Sequence, residues 1–302
     1  MKVTDILKKN EFSASFEFFP PKTSESSEAL FNNIKDLLPL GPSFVSVTYG
    51  AGGTKQELTK NLVLKLRKDT NLCIVSHLTC VGHSQEEIHQ LLENYNSADI
   101  KNLMVLRGDP PKGQNKFVAH DGGFEYAADL LGYIKKHFPD FDCGVAAYPE
   151  GHPETPNRLK EMDYLKAKVD QGADYICTQL FFDNNAFYDF CERCEIAGIK
   201  IPIVAGIMPI SSLKGLKRMA DLSGGSNFPA PLLRALNRAD SEDGVSRVGI
   251  HWASEQVRDL VDNKVKGVHF YTLNQSKATV EIYKNLGIKN SGSLKKPSFF
   301  SL

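Results

Sequence analysis

Residues 143–180, CGVAAYPEGHPETPNRLKEMDYLKAKVDQGADYICTQL, contain one full unit of the pattern that decides the fold. Cys143 to Tyr148 is a short run of small and apolar residues. Arg158 to Gln171 has helical period, Gly172 stands where a left-handed helix stop is wanted, and Tyr175 to Leu180 is a second apolar run. Strand, helix and strand in so short a span form a βαβ crossover, which joins parallel strands.

Working outward, the unit recurs along the chain. Strand-like runs fall at Ser13 to Phe18, Phe44 to Tyr49, Cys73 to Leu78, Asn102 to Arg107, Cys143 to Tyr148, Tyr175 to Leu180, Pro202 to Gly206 and Gly267 to Tyr271. Helical patterns lie between them at Glu28 to Leu38, Gln56 to Lys68, Gln85 to Tyr95, Phe124 to Lys136, Arg158 to Gln171, Ala186 to Ala197, Ser212 to Asp221 and Arg247 to Asp262, with a last one at Lys277 to Leu286. Ser84 before Glu86 and Glu87, and Gly198 after Ala197, are helix start and stop signals. The spacing predicts an α/β protein, a single-domain (β/α)8 TIM barrel over residues 1–288, with one inserted short helix in Phe228 to Asp243 and a polar C-terminal tail over 289–302. An open doubly wound sheet is the alternative; no composition break marks the second domain it would bring.

The chain has 302 residues, 41% hydrophobic and 24% charged, with 36 Lys+Arg against 36 Asp+Glu. This is a globular composition with no global field toward nucleic acid or a membrane surface. The start, MKVTDILKKNEF, lacks the apolar core of a secretory signal, and no apolar run approaches a bilayer span, so a cytoplasmic protein is expected. The six cysteines are thinly spread, and the lone Cys191-x-x-Cys194 has no second ligand pair, so neither disulfides nor a metal site is expected.

A barrel carries its chemistry at the C-terminal ends of its strands. Those ends deliver Glu17, Thr48 with Tyr49, His77 with Thr79, Arg107 with Asp109, Tyr148 with Glu150 and His152, Gln179, the Met208-Pro209 turn, and Tyr271 with Asn274. Glu17 sits in Phe16-Glu17-Phe18-Phe19-Pro20-Pro21, a carboxyl among aromatics. A desolvated carboxylic acid can serve as a general acid near neutral pH, and a salt-bridged structural carboxylate is the other reading. Gly50-Ala51-Gly52-Gly53-Thr54-Lys55 completes neither GxGxxG nor a P-loop, and the chain has no HExxH, no GxSxG and no strand ending in lysine.

Taken together, the strand-end motifs FEFFPP (16–21), FVSVTYG (44–50), HLTC (77–80), LRGD (106–109), AAYPE (146–150), TQLFFD (178–183), GIMPI (206–210) and FYTLN (270–274) resemble, strand by strand, the methylenetetrahydrofolate reductase family. The resemblance runs from about Ser13 to Leu286 and implies a flavoprotein barrel. Such a protein reduces 5,10-methylenetetrahydrofolate to 5-methyltetrahydrofolate with bound FAD and with NADH or NADPH as donor, in ping-pong order. It implies Glu17 as the general acid that helps open the methylene bridge, and Asp109 as the carboxylate that holds the pterin and tunes the flavin. Gln179 becomes a folate and nicotinamide contact, with Gln275 a further substrate contact where the family has Arg. FAD contacts are implied at Thr48, Tyr49, Ala51, His77, Arg107, Gly108, Asp109, Tyr126, Ala127, Tyr148, His152, Glu161 and Lys168. Glu161 replaces a family Asp, while Met219 and Gly215 stand near positions where some bacterial members have a nicotinamide-stacking Phe and a Gln. A homo-oligomer is expected. The competing reading is a non-redox barrel that binds folate or flavin without turnover.

Overall fold

The computed structural model describes residues 1–49, 56–110, 116–155, 157–223 and 226–294. Eight parallel strands close into a barrel in sequence order, β1 Ser13–Phe18, β2 Phe44–Val47, β3 Ile74–Thr79, β4 Asn102–Leu106, β5 Asp142–Ala147, β6 Tyr175–Leu180, β7 Ile203–Ile207 and β8 Gly267–Tyr271. β8 returns to β1 in a register that sets Ser15 beside His269 and Glu17 beside Tyr271. The predicted (β/α)8 TIM barrel is the fold observed. The helices α2 Ser24–Leu37, α3 Gln56–Asp69, α4 Gln85–Ser97, α5 Ala127–His137, α6 Arg158–Asp170, α7 Asn184–Ile196, α8 Leu213–Ser223, α9 Ala230–Arg238, α10 Glu242–Asp262 and α11 Lys277–Asn285 follow the strands. α9 is the inserted helix.

Differences from the sequence expectation have local causes. α2 starts at Ser24 instead of Glu28 because Thr23 and Ser26 cap each other, Ser26 N donating to Thr23 Oγ1 at 3.1 Å and Thr23 N to Ser26 Oγ at 2.9 Å. α10 starts at Glu242 instead of Arg247 because Ser241 Oγ accepts from Gly244 N at 3.1 Å. The segment from 289, expected to lie outside the fold, stays packed for its first residues. There the Ser291 hydroxyl donates to Leu40 O at 2.8 Å and Leu294 is buried. Residues 295–302 lie outside the described residues.

Strand alternation sorts the core into two shells. Outward residues such as Ala14, Phe16, Phe18, Val45 and Val47 pack under the helices, while Phe44, Val75, Met104, Tyr175, Cys177 and Val204 fill the lower barrel. The floor is sealed by a helix not expected from the sequence, α1 Val3–Lys9. Val3 and Leu7 are buried in that inner cluster. Val3 N donates to Asn102 Oδ1 at 3.0 Å, and Thr4 N and Oγ1 donate to Asp142 Oδ2 at 2.8 and 3.1 Å. Burial pushes the Asp142 carboxyl up, and the two Thr4 bonds partly oppose that rise.

One close approach locks α10 onto the turn after β7. A Cβ at Gly249 would stand 1.9 Å from the Ile210 carbonyl oxygen. Alanine ordinarily favours a helix over glycine by about 1 kcal/mol, but here it forces two backbones apart. Gly249→Ala is therefore expected to destabilise the fold by about 3 kcal/mol, read as a lowered urea midpoint; an unchanged midpoint would contradict the packing described.

Candidate functional site

The C-terminal mouth of the barrel holds two polar groupings. The first is built from the inward faces of β1, β2, β3 and β8. Glu17 is only 6% exposed, and its Oε2 lies 3.6 Å from His77 Nε2 and 3.8 Å from His269 Nε2. The Ser15 hydroxyl lies 3.2 Å from Val268 O, to which it donates, and 2.7 Å from His269 Nδ1. That arrangement assigns the His269 proton to Nδ1, leaving Nε2 to accept from Ser46 Oγ at 3.2 Å. His77 Nε2 is buried with no hydrogen-bond partner. Burial, and secondarily the neighbouring His269, push the His77 ring down to about 4 against the opposing pull of Glu17. It is a neutral ring at neutral pH.

Phe16 and Phe18, read from the sequence as flanking the carboxyl, face the opposite way into the outer shell. Residues i−1 and i+1 of a strand point away from residue i, so the walls around Glu17 are histidines. Above it, Thr272 Oγ1 donates to Glu17 O at 2.6 Å, and Tyr271 OH donates to Thr178 O at 2.6 Å. Asn274 pairs with both backbone groups of Phe19, at 2.7 and 2.9 Å, so the ends of β8 and β1 are tied together. Sequence reading missed Ser15, Ser46 and His269. Each lies one layer below the mouth, and the signal was available in the spacing: Ser15 and His269 precede Glu17 and Tyr271 by two, hence share their face.

The second grouping spans β4 to α6. Arg107 Nη2 bonds Glu154 Oε2 at 2.8 Å, and its guanidinium lies 5.4 Å from the Phe117 ring centre. Gly108 holds φ +88°, with space for a Cβ closed by Val81 and Thr79 at 2.7 and 3.0 Å. The Tyr148 and His152 rings meet edge to face at 4.6 Å, with burial raising the phenol to about 12 and lowering the imidazole. His152 N donates to Glu161 Oε1 at 2.8 Å, while Glu161 Oε2 is buried without a partner. Lys168 donates to Ala146 O at 2.5 Å, and burial lowers its ammonium to about 8. A half-buried cation and an unsatisfied carboxylate oxygen are groups that a polar ligand can complete.

The remaining residues fall around these groupings. Asp109 is exposed beside Tyr148 and His152. Gln179 shares a small depression with Tyr148, Glu150 and Ser226, its Oε1 accepting from Leu180 N at 2.9 Å. Thr48 is buried, Ala127 begins α5, and Tyr126 is 54% exposed just before it. Gln275 is exposed on the β8–α11 connection. Met219 is buried among Leu180, Phe182, Met208 and Leu232, and Gly215 N bonds Ser212 Oγ at 2.9 Å. Ala51 lies outside the described residues, as do Gly50, Gly52 and Gly53. Among the described residues no His/Cys/Asp/Glu group could hold a metal ion, and burial pushes Cys191 and Cys194 up to about 12. No described helix is long and apolar enough to cross a membrane.

Comparison with known proteins adds what geometry alone does not. A family profile described as methylenetetrahydrofolate reductase matches residues 2–287. The chain belongs to the methylenetetrahydrofolate reductase family. Within that family it is 38% identical to the 5,10-methylenetetrahydrofolate reductase of Salmonella typhimurium and 37% identical to that of Escherichia coli K12, each over 92% of this chain and 92% of the relative. It is 39% identical to methylenetetrahydrofolate reductase (NADH) 1 of Arabidopsis thaliana over 98% of this chain but 52% of that protein. The chain thus spans about half the length of the plant relatives it matches. Among solved structures, a Clostridium thermocellum protein described as binding two copies of 5-methyl-5,6,7,8-tetrahydrofolic acid superposes with TM-score 0.66 at 18% identity, covering 93% of this chain and 97% of that one. An oxaloacetate acetylhydrolase superposes with TM-score 0.53 at 12% identity, over 98% and 88%. At those identities both likenesses concern the fold alone.

Proposed function

We propose that this member of the methylenetetrahydrofolate reductase family reduces 5,10-methylenetetrahydrofolate to 5-methyltetrahydrofolate, with FAD as bound hydride carrier and NADH or NADPH as donor, the two substrates visiting one site in turn. The observation that carries the reading is Glu17, a buried carboxyl at the mouth of a barrel whose family acts on a substrate with an amine leaving group. The setting we infer is a cytoplasmic homo-oligomer.

The residues of the second grouping fit a flavin dinucleotide. Glu161 Oε2 is buried without a partner, and the nearby Lys168 ammonium, lowered by burial, donates to Ala146 O and has further N–H groups to offer. Thr48, Tyr49, Ala51, His77, Arg107, Gly108, Asp109, Tyr126, Ala127, Tyr148, His152, Glu161 and Lys168 would hold the cofactor. When bound, the flavin supplies the hydride chemistry. The chain supplies position and protons. Glu17 delivers a proton from its carboxyl to the amine nitrogen freed as the methylene bridge opens. The Ser15–His269–Ser46 chain keeps one histidine tautomer facing Glu17 Oε2. Asp109 and Gln179 orient the pterin, and Gln179 later faces the nicotinamide, with Gln275 on the substrate's outer part.

A second reading, a folate-binding barrel without turnover, draws on the bound folates named for the Clostridium protein. Steady-state assay separates the two. The reductase reading expects FAD to bind at one per chain and NAD(P)H consumption to require methylenetetrahydrofolate; binding without consumption would leave only the carrier.

A further inference from the structure

Tyr49, the last described residue before the glycine-rich stretch, does not share the inward parity of Ser46 and Thr48. It is buried, and its phenol lies 2.7 Å from Nε2 of His83 on the β3–α4 connection, the two rings edge to face at 5.7 Å. His83 is itself only 4% exposed, and its Nδ1 lies 3.6 Å from Glu87 Oε2. Glu87 is fixed by the α4 capping box, where Ser84 N donates to Glu87 Oε2 at 2.9 Å and Glu87 N donates to Ser84 Oγ at 3.2 Å. The third wall is the β4–α5 connection. Gln85 N donates to Gly122 O at 3.1 Å, and a Cβ at Gly123 would meet His83 O at 2.5 Å. A histidine enclosed on three sides, with one nitrogen on a buried phenol and the other toward a carboxylate, accepts from the phenol and donates toward the carboxylate as the neutral Nδ1–H tautomer; as the imidazolium it would donate to both.

We infer that His83 is a positioning residue of the cofactor site, holding Tyr49 just beyond β2 through a Tyr49–His83–Glu87 chain whose neutral form gives the phenol O–H its acceptor. This rests on the flavin reading of the barrel mouth. Tyr49 OH donates to Nε2, and Nδ1–H points to Glu87, so the phenol is anchored to the first turn of α4. Protonation puts a hydrogen on Nε2 and turns acceptor into donor, so the phenol oxygen must accept and its own O–H loses this acceptor and must turn away. Tyr49 cannot compensate by ionising, since burial, with Tyr95, Glu87 and Glu57 around it, holds the phenol far above its usual range.

The direction of the pH effect follows from the groups that face the ring. Burial is the largest influence on His83 and lowers it; Glu87 on α4 opposes this, and His120 on the β4–α5 connection adds to it. Tyr49, two residues past β2, is uncharged. A histidine lowered in the fold is held neutral, so the arrangement in which Tyr49 donates is the one present at neutral pH, and it is lost as pH falls through the folded value, which lies below 6.5.

FAD titration of apo-protein by flavin fluorescence between pH 8 and pH 5 tests this, with thermal melts showing that each variant is folded. Tyr49→Phe and His83→Leu are each expected to weaken FAD binding by about tenfold at pH 7.5. His83→Gln, which can still accept from the phenol and donate to Glu87, is expected to stay within about threefold of wild type there. Wild-type affinity is expected to fall by about tenfold toward pH 5, with most of that slope absent from His83→Gln and the residue belonging to groups such as His152. Equal affinity in wild type, Tyr49→Phe and His83→Leu would overturn the inference while leaving the flavin reading intact. So would a slope unchanged in His83→Gln, or a His83→Gln as weak as His83→Leu. Wild-type protein that takes up no FAD would overturn both.

Discussion

Glu17→Gln is expected to slow the oxidation of reduced flavin by methylenetetrahydrofolate by about 10²–10⁴-fold while leaving flavin reduction by NAD(P)H within a few fold. The amide fills the same volume between His77 and His269, which stand 3.6 and 3.8 Å from the carboxyl, so the cluster keeps its shape. What is lost is a transferable proton. Only the folate half-reaction breaks a carbon–nitrogen bond whose nitrogen must be protonated as it leaves; hydride transfer from a dihydronicotinamide needs no such donor. Rapid-reaction traces of the two half-reactions therefore separate a proton donor from a structural carboxylate. If both slow together, Glu17 serves the architecture of the mouth and the general-acid role falls.

Removal of residues 1–9 is expected to cost on the order of 5 kcal/mol or more, a large share of the stability of an ordinary domain. The loss has named sources. Val3 and Leu7 leave the inner cluster, each worth about 1.5–3 kcal/mol. Asn102 Oδ1 and Asp142 Oδ2 lose the α1 donors that satisfy them, each worth about 1–3 kcal/mol. Leu7→Ala alone should cost about 2–4 kcal/mol, giving a soluble variant in which the effect can be measured if the truncated chain collapses. Chemical denaturation reads both. A truncated chain with a wild-type midpoint would mean that the barrel floor is closed without α1.

The same helix shows where sequence reading stops. Parallel strands buried on both faces are continuous apolar runs, so β1, β6 and β8 were legible to the residue and the others within two. α1 has seven residues, no capping side chain and few apolar positions. It exists because Asn102 and Asp142, far along the chain, accept its first amides, and no local pattern encodes that. The caps at Thr23 and Ser241 were visible as residue types, yet only the fold shows which side chain folds back on which amide.

The site divides along the same line. Glu17, Thr48, His77, Gln179 and Tyr271 were legible because a polar group at a barrel strand end is conspicuous against apolar neighbours. Ser15, Ser46 and His269 lie inside the strands and matter only through register, which places Ser15 opposite His269 across the β1–β8 seam. His83 was missed for a different reason: it sits in a connection, and its partner Tyr49 comes from the separate connection that follows β2. Arg107 was legible as a cation at a strand end, while its partner Glu154, which bonds the guanidinium, is a residue for which the sequence offered no role.

The most direct test of the account is anaerobic stopped-flow on the purified protein loaded with FAD. Mixing with NADH or NADPH should bleach the flavin absorbance, and a second mix with 5,10-methylenetetrahydrofolate should restore it with formation of 5-methyltetrahydrofolate in equal amount. A flavin that bleaches but is not reoxidised by the folate, or a protein that retains no flavin at all, would contradict it.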